Sequence, residues 1–234
     1  MYNAQKEVTL LTTDSVTFSV HGTHERITLI DPIAIVAGYT GRDKAAVQEH
    51  IDELAAIGIA PPPSVPMFYP VDADAITTAA TIEVSGDRTS GEIEPLYIRH
   101  KGRSFLGISS DHTDRAVEAD DIGASKKACP KPAGDTVIEV TNFDELDLDT
   151  ARAVSFVDGE LYQDGRLDVL RTPAEVIRLF LAHSDIGDSD FVCLGGTVPV
   201  KGGNFVYGTR WSISLELPTG QKLEHTYSVQ MKGQ

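Results

Sequence analysis

Glu92-Ile93-Glu94 sets two carboxylates two residues apart in a stretch that reads as a β-strand. Side chains alternate along a strand, so both acids leave from one face. Two like charges that close are costly unless they face water or share a cation. Further along stands Asp111, which opens Asp111-His112-Thr113-Asp114-Arg115. The three acids offer only oxygen, the donor set of a hard cation such as Mg²⁺, Mn²⁺ or Ca²⁺ rather than of zinc. They also read as solvated surface acids, because acid-x-acid pairs are common on strand edges.

Upstream, His50-Ile51-Asp52-Glu53 puts an imidazole and a carboxylate three apart on a helical pattern, where the side chains can meet. Such a pair suits a general base and its orienting partner, and equally a solvent-facing pair. Lys126 and Lys127 stand out in an acidic chain. A lysine near a metal can stabilise an oxyanion or grip a carboxylate, and a surface pair is the plain alternative. Ser109-Ser110 lacks the Gly-x-Ser-x-Gly elbow of serine hydrolases. Gly195-Gly196-Thr197 is too short for a phosphate loop and suits close backbone approach to a ligand. Cys129 and Cys193 follow no zinc spacing and give no disulfide framework, so both read as reduced core thiols.

These groups sit in a chain of 234 residues, enough to bury a sizeable core. Hydrophobic residues make up 41% and charged residues 24%, the balance of a globular protein. The formal net charge of −15 repels phosphate backbones, which argues against a nucleic-acid partner. It also means that an anionic ligand needs a local cation. No apolar run approaches a membrane span, and the first residues lack the basic and apolar regions of a signal peptide. A cytoplasmic protein without membrane contact is expected.

The elements that must position these groups are mostly strands. Alternation over residues 7 to 30 (Val8, Leu10, Val16, Phe18, Val20, Ile27, Leu29) predicts two or three antiparallel strands. Ile33 to Tyr39 reads as a buried strand, and Asp43 to Ile57 as a helix stopped at Gly58. Short strands follow through residues 65 to 85. Glu92 to Ile98 and Phe105 to Ile108 read as strands around a turn at Gly102. Acidic and glycine residues leave only a weak helical pattern over 112 to 127. Thr136 to Val140 and Ala153 to Val157 are expected strands, with a hairpin turn at Asp158-Gly159. Thr172-Pro173 opens a helix that runs to about His183. Phe191 to Leu194, Trp211 to Leu217 and Glu224 to Val229 complete the strands. The expected class is α+β, mostly β, with a mixed or antiparallel sheet system.

Taken in order, these segments resemble the fumarylacetoacetate hydrolase superfamily, and within it a bacterial branch known as a domain of unknown function. Ile35-Val36-Ala37-Gly38-Tyr39 resembles the strand that ends in the family's Asn-Tyr, with Gly38 in place of the Asn. His50-Ile51-Asp52-Glu53 is similar to its His-x-x-Glu, and Pro66-Met67-Phe68-Tyr69-Pro70 to its proline–phenylalanine loop. Gly91-Glu92-Ile93-Glu94 resembles the Glu-x-Glu metal motif, and Asp111 to Arg115 the segment with the third ligand and an arginine. Lys126 falls at the family's active-site lysine. Gly187-Asp188 through Gly196-Thr197 resembles the element that closes over substrate. There are departures. Extra residues from Thr40 to Asp43 separate Tyr39 from His50, which makes Arg42 a candidate for the pocket. The stretch from Asp111 to Lys126 is shortened, so Lys127 could take the lysine's place. Ala116 follows Arg115 where relatives often carry Asp, and Val198 comes between Thr197 and Pro199.

The resemblance implies a mixed β-sheet roll over residues 31–234 behind an N-terminal β extension over 1–30. It implies Mg²⁺, Mn²⁺ or Ca²⁺ on Glu92, Glu94 and Asp111, with Arg42, Arg115 and Thr197 binding a 2-oxo acid. His50, oriented by Glu53, would activate water, and Lys126 would support the charge that develops as a C–C bond in an acylpyruvate-like acid breaks through an enolate on the metal. Decarboxylation, hydration and isomerisation of a 2-oxo acid are alternatives on the same scaffold, as is non-catalytic binding of a metal–oxo acid complex. A homodimer is implied as well.

Overall fold

The computed structural model describes residues 14–56 and 60–233. The strand residues Val8 and Leu10 and the helix stop at Gly58 lie outside the described residues.

Among the described residues, eight strands form the main sheet and five a second one. The spatial order of the eight is Arg26–Ile30, Ser15–Val20, Thr136–Val140, Arg103–Ser110, Ile93–His100, Phe191–Leu194, Ile33–Gly38 and Met67–Val71. Parallel pairs (Ser15–Val20 with Thr136–Val140, Phe191–Leu194 with Ile33–Gly38) mix with antiparallel ones. The second sheet runs Glu160–Arg166, Arg152–Val157, Arg210–Glu216, Lys222–Met231 and Thr81–Val84. The architecture is the mostly β roll expected from the sequence.

The main sheet curls, and both of its faces are covered. Phe18, Leu29, Val36, Leu96, Ile98, Phe105, Val137 and Leu194 meet inside the curl. Ile35, Ile93, Tyr97, Leu106 and Ile108 leave from the other face. They pack against Ala153, Ile213, Leu215 and Leu223 of the second sheet and against Val176, Ile177 and Phe180 of the helix Pro173–His183. Each side chain buried this fully contributes ~1.5–3 kcal/mol. Double coverage explains why Ile93–His100 reads as a nearly unbroken run of buried residues rather than an alternating one. Its hairpin partner Arg103–Ser110 follows Lys101 and Gly102, both at positive φ, the backbone a tight two-residue turn requires.

Asp158 and Gly159, also at positive φ, close the expected hairpin between Arg152–Val157 and Glu160–Arg166. Thr172 caps the helix Pro173–His183, its hydroxyl accepting the N–H of Glu175, with Pro173 in the first turn. The helix Lys44–Ala56 lies on the surface, with Ile51 its buried anchor.

The weak pattern over 112–127 resolves into two short helices, Arg115–Glu118 and Ile122–Lys127. Asp114 and Asp121 cap them, Asp114 accepting the N–H groups of Ala116 and Val117 at 3.0 and 3.2 Å and Asp121 that of Ala124 at 2.9 Å. The acids that weakened the helical pattern therefore start the helices. Among the described residues, no helix is long and apolar enough to cross a membrane.

Candidate functional site

The hairpin Ile93–His100/Arg103–Ser110 assembles the site. Its register sets Ile93 opposite Ser110, so the residues just beyond, Glu92 and Asp111, are neighbours across the open end. The Asp111 N–H donates to the Glu92 carbonyl at 2.9 Å. Gly91 lets the chain enter this corner. A Cβ there would collide with the Tyr227 hydroxyl and Ser110 Oγ, and would come 3.2 Å from His112 Nδ1.

Asp111 is the most enclosed of the three acids, at 1% exposure. Lys126 Nζ donates to its Oδ2 at 2.5 Å, and Lys131 Nζ lies 3.0 Å from its Oδ1. Thr113 Oγ1 donates to Oδ1 at 3.1 Å. Burial opposes ionisation, yet the two ammonium groups outweigh it and hold the Asp111 carboxyl well below the usual range. Lys126 is raised in turn, because the negative charges of Asp111 and Glu118 offset its own desolvation.

Glu94 is buried as well, and its Oε2 accepts the backbone N–H of Gly196 at 2.8 Å. Its carboxyl is pushed well above the ordinary range, first by burial and then by the negative charge of Asp111, with Glu92 adding to it. Glu92 is partly exposed and accepts from Arg115 Nη2 at 2.8 Å. Arg115 is nearly buried. Its Nε donates to Ser90 Oγ at 2.7 Å and its Nη1 to Glu118 at 2.8 Å, and the Phe205 ring covers the guanidinium at 3.8 Å.

Behind the acids, Gln163 ties the segment together. Its Oε1 accepts from the Ile93 N–H at 2.9 Å and from Ser155 Oγ at 2.9 Å. Its Nε2 donates to Thr197 Oγ1 and to the Val198 carbonyl. Thr197 Oγ1 in turn donates to the Ile93 carbonyl at 2.8 Å. His112 lies between the Tyr227 hydroxyl and Thr89 Oγ1, each 3.0 Å away, with its ring edge against Trp211. Burial, helped by the positive charges of Lys131 and Arg115, lowers its pKa to about 3, so it is neutral.

The structure thus brings Glu92, Glu94, Asp111, Arg115, Lys126 and the Gly196-Thr197 backbone into one cluster. Of the two lysines, Lys126 is buried on Asp111 and Lys127 is exposed. Arg42 is engaged elsewhere, donating to Asp149 and to the Leu170 carbonyl. The backbone of His50 and Glu53 lies on the helix Lys44–Ala56, and their side chains lie outside the described residues. Sequence reasoning missed Lys131, Gln163 and His112. The signal for Lys131 was a lone lysine between two prolines, in Pro130-Lys131-Pro132.

The all-oxygen donors suit a hard divalent cation, and the repulsion that raises Glu94 is the kind a cation relieves. The ligand set is not preassembled. Among the described residues, no three His, Cys, Asp or Glu side chains are gathered to hold a metal ion. Each acid instead faces an internal partner, and a cation would have to take the place of some of these.

The family model described as a protein of unknown function, DUF2848, matches residues 37–227. No curated protein matches the chain significantly. Among solved structures, fumarylpyruvate hydrolase from Pseudomonas aeruginosa, in complex with Mn²⁺ and pyruvate, is similar at TM-score 0.65 and 18% identity, covering 94% of this chain and 97% of that one. A putative fumarylacetoacetate isomerase/hydrolase from Oleispira antarctica gives TM-score 0.64 at 16% identity, covering 91% and 99%. The 5-carboxymethyl-2-hydroxymuconate delta-isomerase from Mycobacterium smegmatis gives 0.54 at 17% identity, covering 91% and 87%. At such identities the likeness is one of fold, while the family model spans most of the sequence. The chain therefore belongs to the DUF2848 family and carries the fold of the fumarylacetoacetate hydrolases.

Proposed function

We propose that this protein is a divalent-metal-dependent hydrolase that cleaves a C–C bond in an acylpyruvate-like 2-oxo acid. The observation that carries this reading is the buried cluster of Glu94, Asp111 and Lys126 at the open end of the central hairpin. Two carboxylates and an ammonium out of water are costly to hold and need a reason. The similar hydrolase from Pseudomonas aeruginosa, crystallised with Mn²⁺ and pyruvate, suggests one.

Glu92, Glu94 and Asp111 would hold Mg²⁺ or Mn²⁺. When bound, such an ion supplies Lewis acidity toward a carbonyl oxygen. The remaining work falls to the chain. Arg115, fixed by Ser90 and Glu118, presents a cation beside Glu92, suited to the carboxylate of a 2-oxo acid. Lys126, released from Asp111, would sit near the oxygen that gains negative charge. The Gly196 N–H holds the Glu94 carboxylate, and Thr197 ties the following chain to the Ile93 carbonyl. His50, with Glu53 orienting it, would take a proton from water as the water oxygen bonds to the acyl carbon; the C–C bond to the pyruvate methylene then breaks and the proton returns to that carbon, giving the cleaved acid and pyruvate. We also propose that the protein works as a homodimer, which sedimentation would reveal as twice the chain mass of 25.2 kDa.

Incubation of the protein with a panel of acylpyruvates and Mg²⁺ tests the reading. Pyruvate release that stops on addition of EDTA is expected. No turnover of any member, by protein shown to bind metal, would remove the hydrolase assignment. A second reading, isomerisation, gains support from the delta-isomerase that shares the fold. It predicts substrate rearrangement with no pyruvate released.

A further inference from the structure

Lys131 is completely buried, which is rare for a lysine and costly without strong pairing. It lies on the two-residue strand Lys131–Pro132, which runs parallel to Ile76–Thr77. The flanking backbone is fixed too, with the Ala133 N–H on the Thr77 carbonyl and the Gly134 N–H on the Ile108 carbonyl. Its ammonium donates to the His112 carbonyl at 2.5 Å and lies 3.0 Å from Asp111 Oδ1. Lys126 approaches the other oxygen, Oδ2. The two lysines differ in tether. Lys126 ends a short helix, retains some solvent exposure and passes near the Tyr69 ring at 5.9 Å. Lys131 has no exposure and a second anchor on the main chain. Lys126 can withdraw from Asp111 by turning its side chain, whereas Lys131 would have to abandon a buried carbonyl.

We infer that Lys131 is the fixed counter-charge of Asp111, a positioning residue that holds the carboxylate in place without metal and keeps the centre's affinity for divalent cations low. The inference rests on the reading of Asp111 as a metal ligand. A positive charge on one oxygen of a ligand carboxylate repels an incoming cation through a poorly screened interior. It also removes the need for a cation to balance Asp111. The protein can then fold metal-free, and the metal exchanges instead of being locked in.

The test is a calorimetric titration of Mn²⁺ into wild type and Lys131→Gln, with melting curves for both. Glutamine removes the charge and keeps a donor, one atom nearer the backbone than the ammonium. The variant is expected to bind Mn²⁺ at least tenfold more tightly. Its metal-free form should melt below wild type, and Mn²⁺ should raise its Tm by more than it raises that of wild type. Equal or weaker Mn²⁺ binding by a folded Lys131→Gln would overturn the inference while leaving the metal centre standing. Absence of binding by both proteins would reject the metal-centre reading and the inference together. A variant that fails to fold without metal should recover when refolded with Mn²⁺, and failure to recover counts against the counter-charge role.

Discussion

Gln163 Oε1 accepts the backbone N–H of Ile93 at 2.9 Å, in the middle of the Glu92-Ile93-Glu94 segment. The bond joins the second sheet to the chain segment that carries both acids. Because the same amide holds Thr197 and the Val198 carbonyl, it sets the spacing between the acidic segment and the chain that follows Phe191–Leu194.

Replacing Gln163 with Leu keeps the volume roughly and removes all four hydrogen bonds. The Ile93 N–H and the Ser155 hydroxyl would lose their buried acceptor, at ~1–3 kcal/mol for each such group, non-additively. A loss of about 3 kcal/mol in urea denaturation is expected. Since Glu94 moves with Ile93, Mn²⁺ affinity should drop in the folded variant as well. A variant within 0.5 kcal/mol of wild type, roughly the scatter of ordinary surface substitutions, would show that Gln163 does not organise the segment.

His112 makes stability depend on pH. Its folded pKa of about 3 lies below the unfolded value of ~6.5, so the unfolded chain binds the proton first. The contribution is complete above about pH 6.5 and is lost as pH falls toward 3, at ~1.4 kcal/mol per unit. Between pH 7 and pH 5 wild type should therefore lose about 2 kcal/mol more than His112→Asn, which has no proton to take up. Denaturation curves at the two pH values measure this, and an equal loss in both proteins would contradict it.

His50→Ala separates the chemistries open to this fold. If water attack needs the imidazole, pyruvate release should fall by roughly 10²–10⁴-fold, the usual contribution of a general base, with little change in Mn²⁺ affinity. Turnover that survives the substitution would favour isomerisation or decarboxylation over hydrolysis.

Much of this was legible in the sequence, for local reasons. The Thr172-Pro173 cap, the Asp158-Gly159 turn and the alternation of Ser15–Val20 are written in neighbouring residues, and the structure has all three. The neighbourhood of Glu92 and Asp111 follows from one hairpin register. What stayed hidden depends on distant pairings. Lys131 reaches Asp111 only because its short strand is clamped beside Ile76–Thr77, and Gln163 meets Ile93 only because two sheets face each other. Arg42 was drawn toward the pocket by its place in an insertion. The structure pairs it with Asp149, a partner more than a hundred residues away that no local pattern announces. Asp114 and Asp121 weakened the helical pattern because acids disfavour helix interiors, yet both stand where acids favour helices, at the N-cap.

The central claim is that Glu94 and its neighbours hold a divalent cation, and Mn²⁺ titration of wild type beside Glu94→Gln, followed by electron paramagnetic resonance, tests it most directly. The substitution keeps an acceptor for the Gly196 N–H and removes one ligand charge. One saturable site per chain is expected in wild type, with at least hundredfold weaker binding in the variant. Indistinguishable titrations of the two proteins, or no saturable site in wild type, would contradict the claim.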